Sequence, residues 1–487
     1  MNDFSAADVI LDFENPWYPP SPEIFLTSLA WSLFSIEGVE SNSKRRYRRN
    51  QRQSRPSTSV STRAQTNYEY SAEILSSGET GFANELASQG FSAVRSASSH
   101  ATQVPKDFVN ATLNAVTGTT SVSSDGIAVS PLTPALAMAQ NVKGMRGATA
   151  NYALMVEQMW RVTGKKSQSL AESWLDANSR LLAKNNFLRQ LDSALDATQG
   201  FGPRARKVVK EVAQPWPLAD RNPTLLRKTP YGWFERSWNH LTSDAWVEAL
   251  PPRVWTDWAS TLIRTSFGLG ILWQANWYHL VARSILDGDE IPPLDRLDSM
   301  ELIPWQPRTM PLTLRHVKNR LDLQVSTSFR LKQQFAEWVS DFNADSESES
   351  WSEFSDWIRQ SQGRQQTLAN LKQMSGNYGK SKDAVEAVSY SLNVRKDFGL
   401  GADNFGLLRL VSRRFRVPQP PTEWLAAISS LVSPTPSTTI NLGQLQAELH
   451  CMGLRPPTND LILDLESAGL AKGSADADLG LEIQTAY

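Results

Sequence analysis

The sequence predicts a mainly α protein with a multi-helix body, a small α+β module at the C-terminus and a long disordered region near the N-terminus. Three observations predict it. Apolar residues in the middle of the chain recur at three- and four-residue spacing, and no period-2 alternation is sustained over several strands. Residues 41–140 are dominated by Ser, Thr, Ala and Gly, too poor in large apolar groups to offset their ordering entropy. The last 70 residues, behind Pro418, Pro420 and Pro421, change in both pattern and charge.

Residues 1–40 form an N-terminal helical element. Pro16, Pro19, Pro20 and Pro22 precede the apolar run Ile24 to Phe34, which at about a dozen residues falls short of the roughly 20 a membrane span needs and reads as a buried helix. Asp3, Asp8, Asp12 and Glu14 open the chain where a secretory signal would be basic.

Residues 41–140 read as a tether or arm, mostly disordered with one or two weak helices. Its first part carries Lys44, Arg45, Arg46, Arg48, Arg49, Arg52 and Arg55 with no acidic residue from 41 to 66. Such a cluster can release condensed counterions from a nucleic acid without defined geometry, so these seven are the candidate nucleic-acid contacts.

Residues 141–417 make a Trp-rich helical body. Tyr152, Met155, Val156, Met159 and Trp160 mark one helix, stopped at Gly164. From Ser169 to Ala197, Trp174, Leu181, Leu188 and Leu195 are seven apart and predict one long amphipathic bundle helix, too short and with Lys184 on the seam for a coiled-coil dimer. Trp233, Trp238, Trp246, Trp255, Trp258, Trp273 and Trp277 fall within 50 residues. With only Arg253 and Arg264 basic between Trp246 and Trp277, they suit an aromatic core better than a base-stacking platform. Leu262 to Leu286 is greasy but interrupted by Arg264, Gln274, Asn276, His279 and Arg283, which predicts a core helix pair turning at Gly268-Leu269-Gly270 rather than a membrane span. Helical patterns return over 312–342 and 354–392.

Residues 418–487 run helix (Trp424 to Leu431), strand (Ser437 to Ile440), helix (Leu442 to Met452), turn at Gly453 and Pro456-Pro457, helix (Asn459 to Ala468) and a β-like end (Leu479 to Thr485). That order resembles a winged helix-turn-helix, and the resemblance covers these residues alone. The module holds eight Asp/Glu against Arg455 and Lys472. Its would-be recognition helix bears Asp460, Asp464 and Glu466, which would meet repulsion in a DNA groove, so these three are the candidate protein-docking residues.

Chemistry-bearing patterns fail one by one. The five His residues lie 37 or more apart and Cys451 is the single Cys, so no metal-ligand spacing, internal disulfide or thiolate cluster is available and a reducing cytoplasm fits best. Gly164-Lys165-Lys166-Ser167 lacks the first glycine of a phosphate loop, and Asp397-Phe398-Gly399 lacks every other kinase element. His316-Val317-Lys318 with Asp322 is one residue short of a His-x-Lys-x4-Asp nucleophile motif and has no second copy. No catalytic, metal-ligating or cofactor-binding residue is assigned.

Local charge carries what remains. Lys plus Arg number 49 against 50 Asp plus Glu, which excludes a globally basic coat. Residues 143–211 hold 12 Lys/Arg against 6 Asp/Glu, and Arg395, Lys396, Arg409, Arg413, Arg414 and Arg416 form a second basic cluster. The expected function is a non-catalytic scaffold or adaptor subunit of a cytoplasmic, nucleic-acid-associated complex, docking a partner protein with a basic surface through the acidic module, with DNA or RNA held by the basic segments and no membrane. The alternative is a nucleic-acid-processing factor, of a bacterial system acting on foreign DNA for example, with a dispersed or partner-supplied active site.

Overall fold

The computed structural model describes most of residues 6–33, short segments between 48 and 142, and residues 145–487 except 165, 200–225, 289–299, 346–349, most of 361–381, 396–402 and 472–480. The described part is mainly helical.

Helix α1 (Ile24–Leu33) is buried almost throughout. In the region expected to be an arm, the described elements before residue 130 are strands: β1 (Arg48–Gln51) pairs antiparallel with β2 (Thr66–Glu69), and β3 (Thr120–Val122) with β4 (Gly126–Ala128), which also pairs with β5 (Asn141–Val142). Thr, Val, Ile and Tyr in these segments favour the extended backbone locally. Helix α2 (Pro134–Met138) belongs to the body, earlier than the boundary expected at 141. Leu132, Leu136 and Ala137 are buried, Asn178 donates to the Leu132 carbonyl at 3.1 Å, and Asp192 accepts the Ala135 N–H at 2.9 Å.

Helix α3 (Met145–Arg161) ends before Gly164, whose φ of +135° explains the stop. The expected long helix from Ser169 is two helices, α4 (Leu170–Lys184) and α5 (Asn186–Gln199). Ser169 and Glu172 close a reciprocal capping box at the start of α4, and Asn185 breaks the helix because its side chain caps α5 through the Leu188 N–H at 3.0 Å.

Helices α6 (Pro230–Leu241) and α7 (Asp244–Ala249) lead into α8 (Pro252–Asp287), 36 residues and about 54 Å long. It is unbroken where a turn was expected. Gly268 and Gly270 serve close packing instead: a Cβ on Gly268 would lie 2.6 Å from Leu392 Cγ, and one on Gly270 2.8 Å from Tyr231. All seven clustered tryptophans are buried. Their indole N–H groups tie distant segments together, Trp238 to Ser173 Oγ at 3.1 Å, Trp255 to the Leu241 carbonyl at 2.9 Å and Trp277 to the Val9 carbonyl at 3.0 Å.

The polar residues of α8 have internal duties as well. Gln274 and Tyr278 donate to the Leu11 carbonyl, fixing the segment that follows the 3-10 turn Ala6–Val9. Arg264, only 1% exposed, donates to the Ser391 and Asn393 carbonyls and to Asp403 at 2.5 Å. No helix among the described residues is long and apolar enough to cross a membrane.

Helix α9 (Leu312–Arg315) and the long α10 (Lys318–Asp345) replace the single helix expected over 312–342. Between them His316 and Val317 are extended, and the Val317 N–H donates to the Arg416 carbonyl at 3.0 Å. Helices α11 (Trp351–Gln360) and α12 (Lys382–Leu392) follow. A hairpin absent from the sequence reading comes next, β6 (Leu408–Val411) paired with β7 (Phe415–Pro418).

The C-terminal elements are α13 (Thr422–Ser430), β8 (Thr439–Asn441), α14 (Leu442–Cys451), α15 (Thr458–Ser467) and β9 (Glu482–Gln484), with β8 and β9 antiparallel and an additional Ala471–Ile483 bridge. They are not set apart by a linker. Pro418, Pro420 and Pro421 are buried, and the hydrophobic core runs continuously from Val9 to Ile483. The Leu302 N–H donates to the Gly453 carbonyl at 2.9 Å, Trp246 to the Ser433 carbonyl at 3.1 Å and Trp424 to Thr265 Oγ1 at 3.3 Å, while Arg236 grips Glu448 through two bonds. Pro418 ends β7 and Pro421 is the N-cap of α13.

Candidate functional site

Of the predicted nucleic-acid contacts, Lys44, Arg45, Arg46, Arg52 and Arg55 lie outside the described residues. Arg48 and Arg49 stand on β1 opposite Glu69 and Tyr68.

The predicted docking residues sit together on α15, but two of them face inward. Asp460 is 8% exposed and accepts the Arg308 backbone N–H at 2.8 Å, and Asp464 is ion-paired to the Arg308 guanidinium. Burial raises the Asp464 carboxyl above the usual carboxylate range against the opposing pull of Arg308. Glu466 is half-buried, and Leu463 beside it is 52% exposed. Of the three negative charges on this helix, one is thus ion-paired within the chain and a second accepts a backbone N–H.

The basic segment 143–211 behaves the same way. Arg161 pairs with Glu157, Lys166 with Glu235, Arg180 with Asp244 and Lys184 with Glu248. Three of these four carboxylates come from outside the segment, and of its described cations only Arg189 is exposed without a carboxylate partner.

A different surface emerges at the β6–β7 hairpin. Two stretches without any acidic residue, 302–321 and 404–422, are brought together here. Helix α9 packs on β7, and the Arg416 N–H donates to His316 Nδ1 at 2.8 Å while the His316 and Phe415 rings meet edge to face at 5.7 Å. His316 therefore serves as an acceptor for the hairpin, away from the nucleophile motif considered for it. Ser412, Arg413 and Arg414 form the exposed tip, with Leu410 54% exposed beside them and Lys318, Asn319 and Arg320 exposed at the start of α10. Arg416 is engaged by Ser389 at 3.2 Å and sits near Asp322, whose carboxyl burial raises. Among the described residues no carboxylate forms an ion pair with Arg315, Lys318, Arg320, Arg413 or Arg414.

Sequence reasoning found Arg413 and Arg414 as a basic run but missed Arg315, Lys318 and Arg320. The signal available was the lack of Asp and Glu over 302–321.

At the root of the hairpin a cleft of about 410 Å³ opens between β6, the start of α13 and α15, lined by Arg308, Asn404, Arg409, Gln419, Thr422 and Glu423 among others. Its lining charges are balanced, Arg308 and Arg409 against Asp464 and Glu423, with Arg308 paired to Asp464. Among the described residues no three His, Cys, Asp or Glu are grouped as a metal site. Comparisons with protein-family models, curated proteins and solved structures find no match to this chain.

Proposed function

We propose that this chain is a non-catalytic scaffold or adaptor subunit of a cytoplasmic, nucleic-acid-associated complex, with a winged-helix unit at its C-terminus that docks a partner protein. The element order α13, β8, α14, α15, β9 and the pairing of β8 with β9 support the winged-helix reading. The observation that carries the docking reading is the outward face of α15, where Leu463 stands exposed beside Glu466 on a helix whose other face is anchored to the body through Arg308. An aliphatic residue held out on a rigid helix, rimmed by a carboxylate, suits a partner with an apolar pocket and a basic edge. Asp460 and Asp464 then position the helix, and Leu463 and Glu466 meet the partner.

The test is a photo-crosslinking amino acid placed at Leu463 and, as a control, at exposed Ser179 of α4 in the full chain produced in its native host. A single protein adduct is expected at 463 and none at 179, and Glu466→Lys should abolish the adduct while leaving the fold intact. No adduct at 463, or the same adducts at both positions, would refute the docking reading.

A further inference from the structure

We propose that the β6–β7 hairpin, with the adjoining start of α10, binds the phosphates of duplex DNA. The proposal goes beyond the adaptor reading, because it assigns nucleic-acid contact to residues that neither the arm nor the C-terminal unit supplies.

Three observations carry it. The first is charge without ion pairing. Arg413 and Arg414 lie at the tip and Arg315, Lys318 and Arg320 beside β7, in two stretches that contain no Asp or Glu, and none is ion-paired among the described residues; Asp322, next after the first stretch, attracts Lys318 without bridging it. This contrasts with residues 143–211, where Lys166, Arg180 and Lys184 are each paired with a carboxylate from outside the segment. The Val317 N–H bond to Arg416 fixes the two groups side by side, with about 10 Å of strand between Arg416 and the tip.

The second is backbone strain at the tip. Ser412 and Arg413 have φ of +52° and +57°, both left-handed, and the Arg414 N–H closes the turn on the Val411 carbonyl at 3.1 Å. Such tight turns normally take Asn-Gly or Gly because a Cβ is unfavourable there. An arginine kept where glycine is easier is a feature typical of functional positions.

The third is shape. A two-stranded ribbon fits the major groove of B-DNA, about 12 Å wide, while the deep, narrow major groove of an RNA helix does not admit it. Four of the five cations are Arg, whose planar fork matches phosphate oxygens. The exposed tip residues 412–414 include no apolar side chain to act as a central anchor for a peptide. Leu410 and Leu314 flank the ribbon, and an acidic protein with aliphatic anchors is the competing occupant.

The experiment is fluorescence anisotropy of a labelled duplex titrated with the full chain over about 50 to 200 mM salt. Each phosphate contact contributes a slope of about −0.9 in log affinity against log salt. Arg413→Gly with Arg414→Ser should flatten the slope by about 1.8, and adding Arg315→Ser and Arg320→Ser should bring the loss to about 3.6. Arg413→Gly suits the left-handed backbone, so the tip variants should keep the wild-type urea midpoint, and Arg414→Gln alone, at an exposed side chain, should still remove about 0.9.

An unchanged slope in these variants would overturn the proposal. So would duplex binding lost only when the seven cations between 44 and 55 are changed to Ser, a result that leaves the nucleic-acid association of the adaptor reading standing. Binding of poly-glutamate but not duplex DNA, dependent on Leu410 and Leu314, would overturn it in favour of an acidic protein.

Discussion

Gly453 is one of the points at which the body and the C-terminal elements are locked, and replacing it with Ala separates two costs. Its φ is +73°, so any Cβ meets the left-handed penalty of about 1 to 2 kcal/mol. That Cβ would also lie 2.3 Å from Leu302 Cγ and 2.8 Å from Leu302 Cδ1, in a buried contact where overpacking costs typically 1 to 3 kcal/mol. Gly469 supplies the control. Its φ is +71° with nothing within 4 Å of an added Cβ, so Gly469→Ala incurs the backbone penalty alone. The reduction in unfolded-chain entropy on replacing Gly with Ala is common to both and cancels in the comparison. Gly453→Ala should therefore be less stable than Gly469→Ala by about 1 to 3 kcal/mol in urea unfolding. The amide of Leu302, which donates to the Gly453 carbonyl at 2.9 Å, should lose hydrogen-exchange protection in the first variant and keep it in the second. Equal stability of the two variants, together with unchanged protection at Leu302, would refute the view that this contact clamps residues 302–308 onto the module.

Two further perturbations read the interior. Burial raises the Asp257 carboxyl to about 6, against Arg253 at 2.8 Å and helped by Glu23 and Asp403 nearby. The folded state then holds a proton that the unfolded chain releases near pH 4, so wild type loses stability as pH rises from about 4 to about 6, by at most about 3 kcal/mol for a side chain 23% exposed. Asp257→Asn removes that loss, so its stability relative to wild type should climb through this window and level off above it; a difference independent of pH between 4 and 8 would contradict the assignment. Trp246→Phe takes the indole donor from the buried Ser433 carbonyl and leaves a void, costing about 2 to 4 kcal/mol in urea unfolding, and a change under about 0.5 kcal/mol would mean that this bond does not couple α7 to the C-terminal elements.

The helical body was readable because burial imposes a period that survives in the sequence. Tyr152 to Trp160 and the tryptophans of α6 to α8 show it, and all of these tryptophans are buried. The misreadings lie where one residue type permits two local outcomes. Asn185 looked like one position in a heptad run, yet its side chain prefers to cap, and the helix divides there. Gly268 and Gly270 looked like a corner, and they are instead the price of close packing against Leu392 and Tyr231. The hairpin β6–β7 was invisible because its tip is Ser-Arg-Arg, without the Gly or Asn that announces a tight turn. Where a backbone conformation goes against residue preference, pattern reading is blind to it.

Charge shows the deeper limit. Counting along the chain gives segment 143–211 a surplus of six cations and residues 418–487 a deficit of six, and both counts suggested open surfaces. Among the described residues folding cancels part of each. Glu235, Asp244 and Glu248 reach Lys166, Arg180 and Lys184, and Arg308 reaches Asp460 and Asp464 from more than 150 positions away. A long-range ion pair leaves no trace in a local sum, since the two partners belong to different windows. Within 302–321 Arg308 is answered by Asp464, but Arg315 and Arg320 are not ion-paired among the described residues, for a reason that was available in the sequence: the stretch contains no acid and packs against another acid-free stretch. Absence of the opposite charge over both contacting segments, rather than excess of one charge in either, is what leaves Lys318, Arg320, Arg413 and Arg414 exposed, with the half-buried Arg315 beside them, for a polyanion to meet.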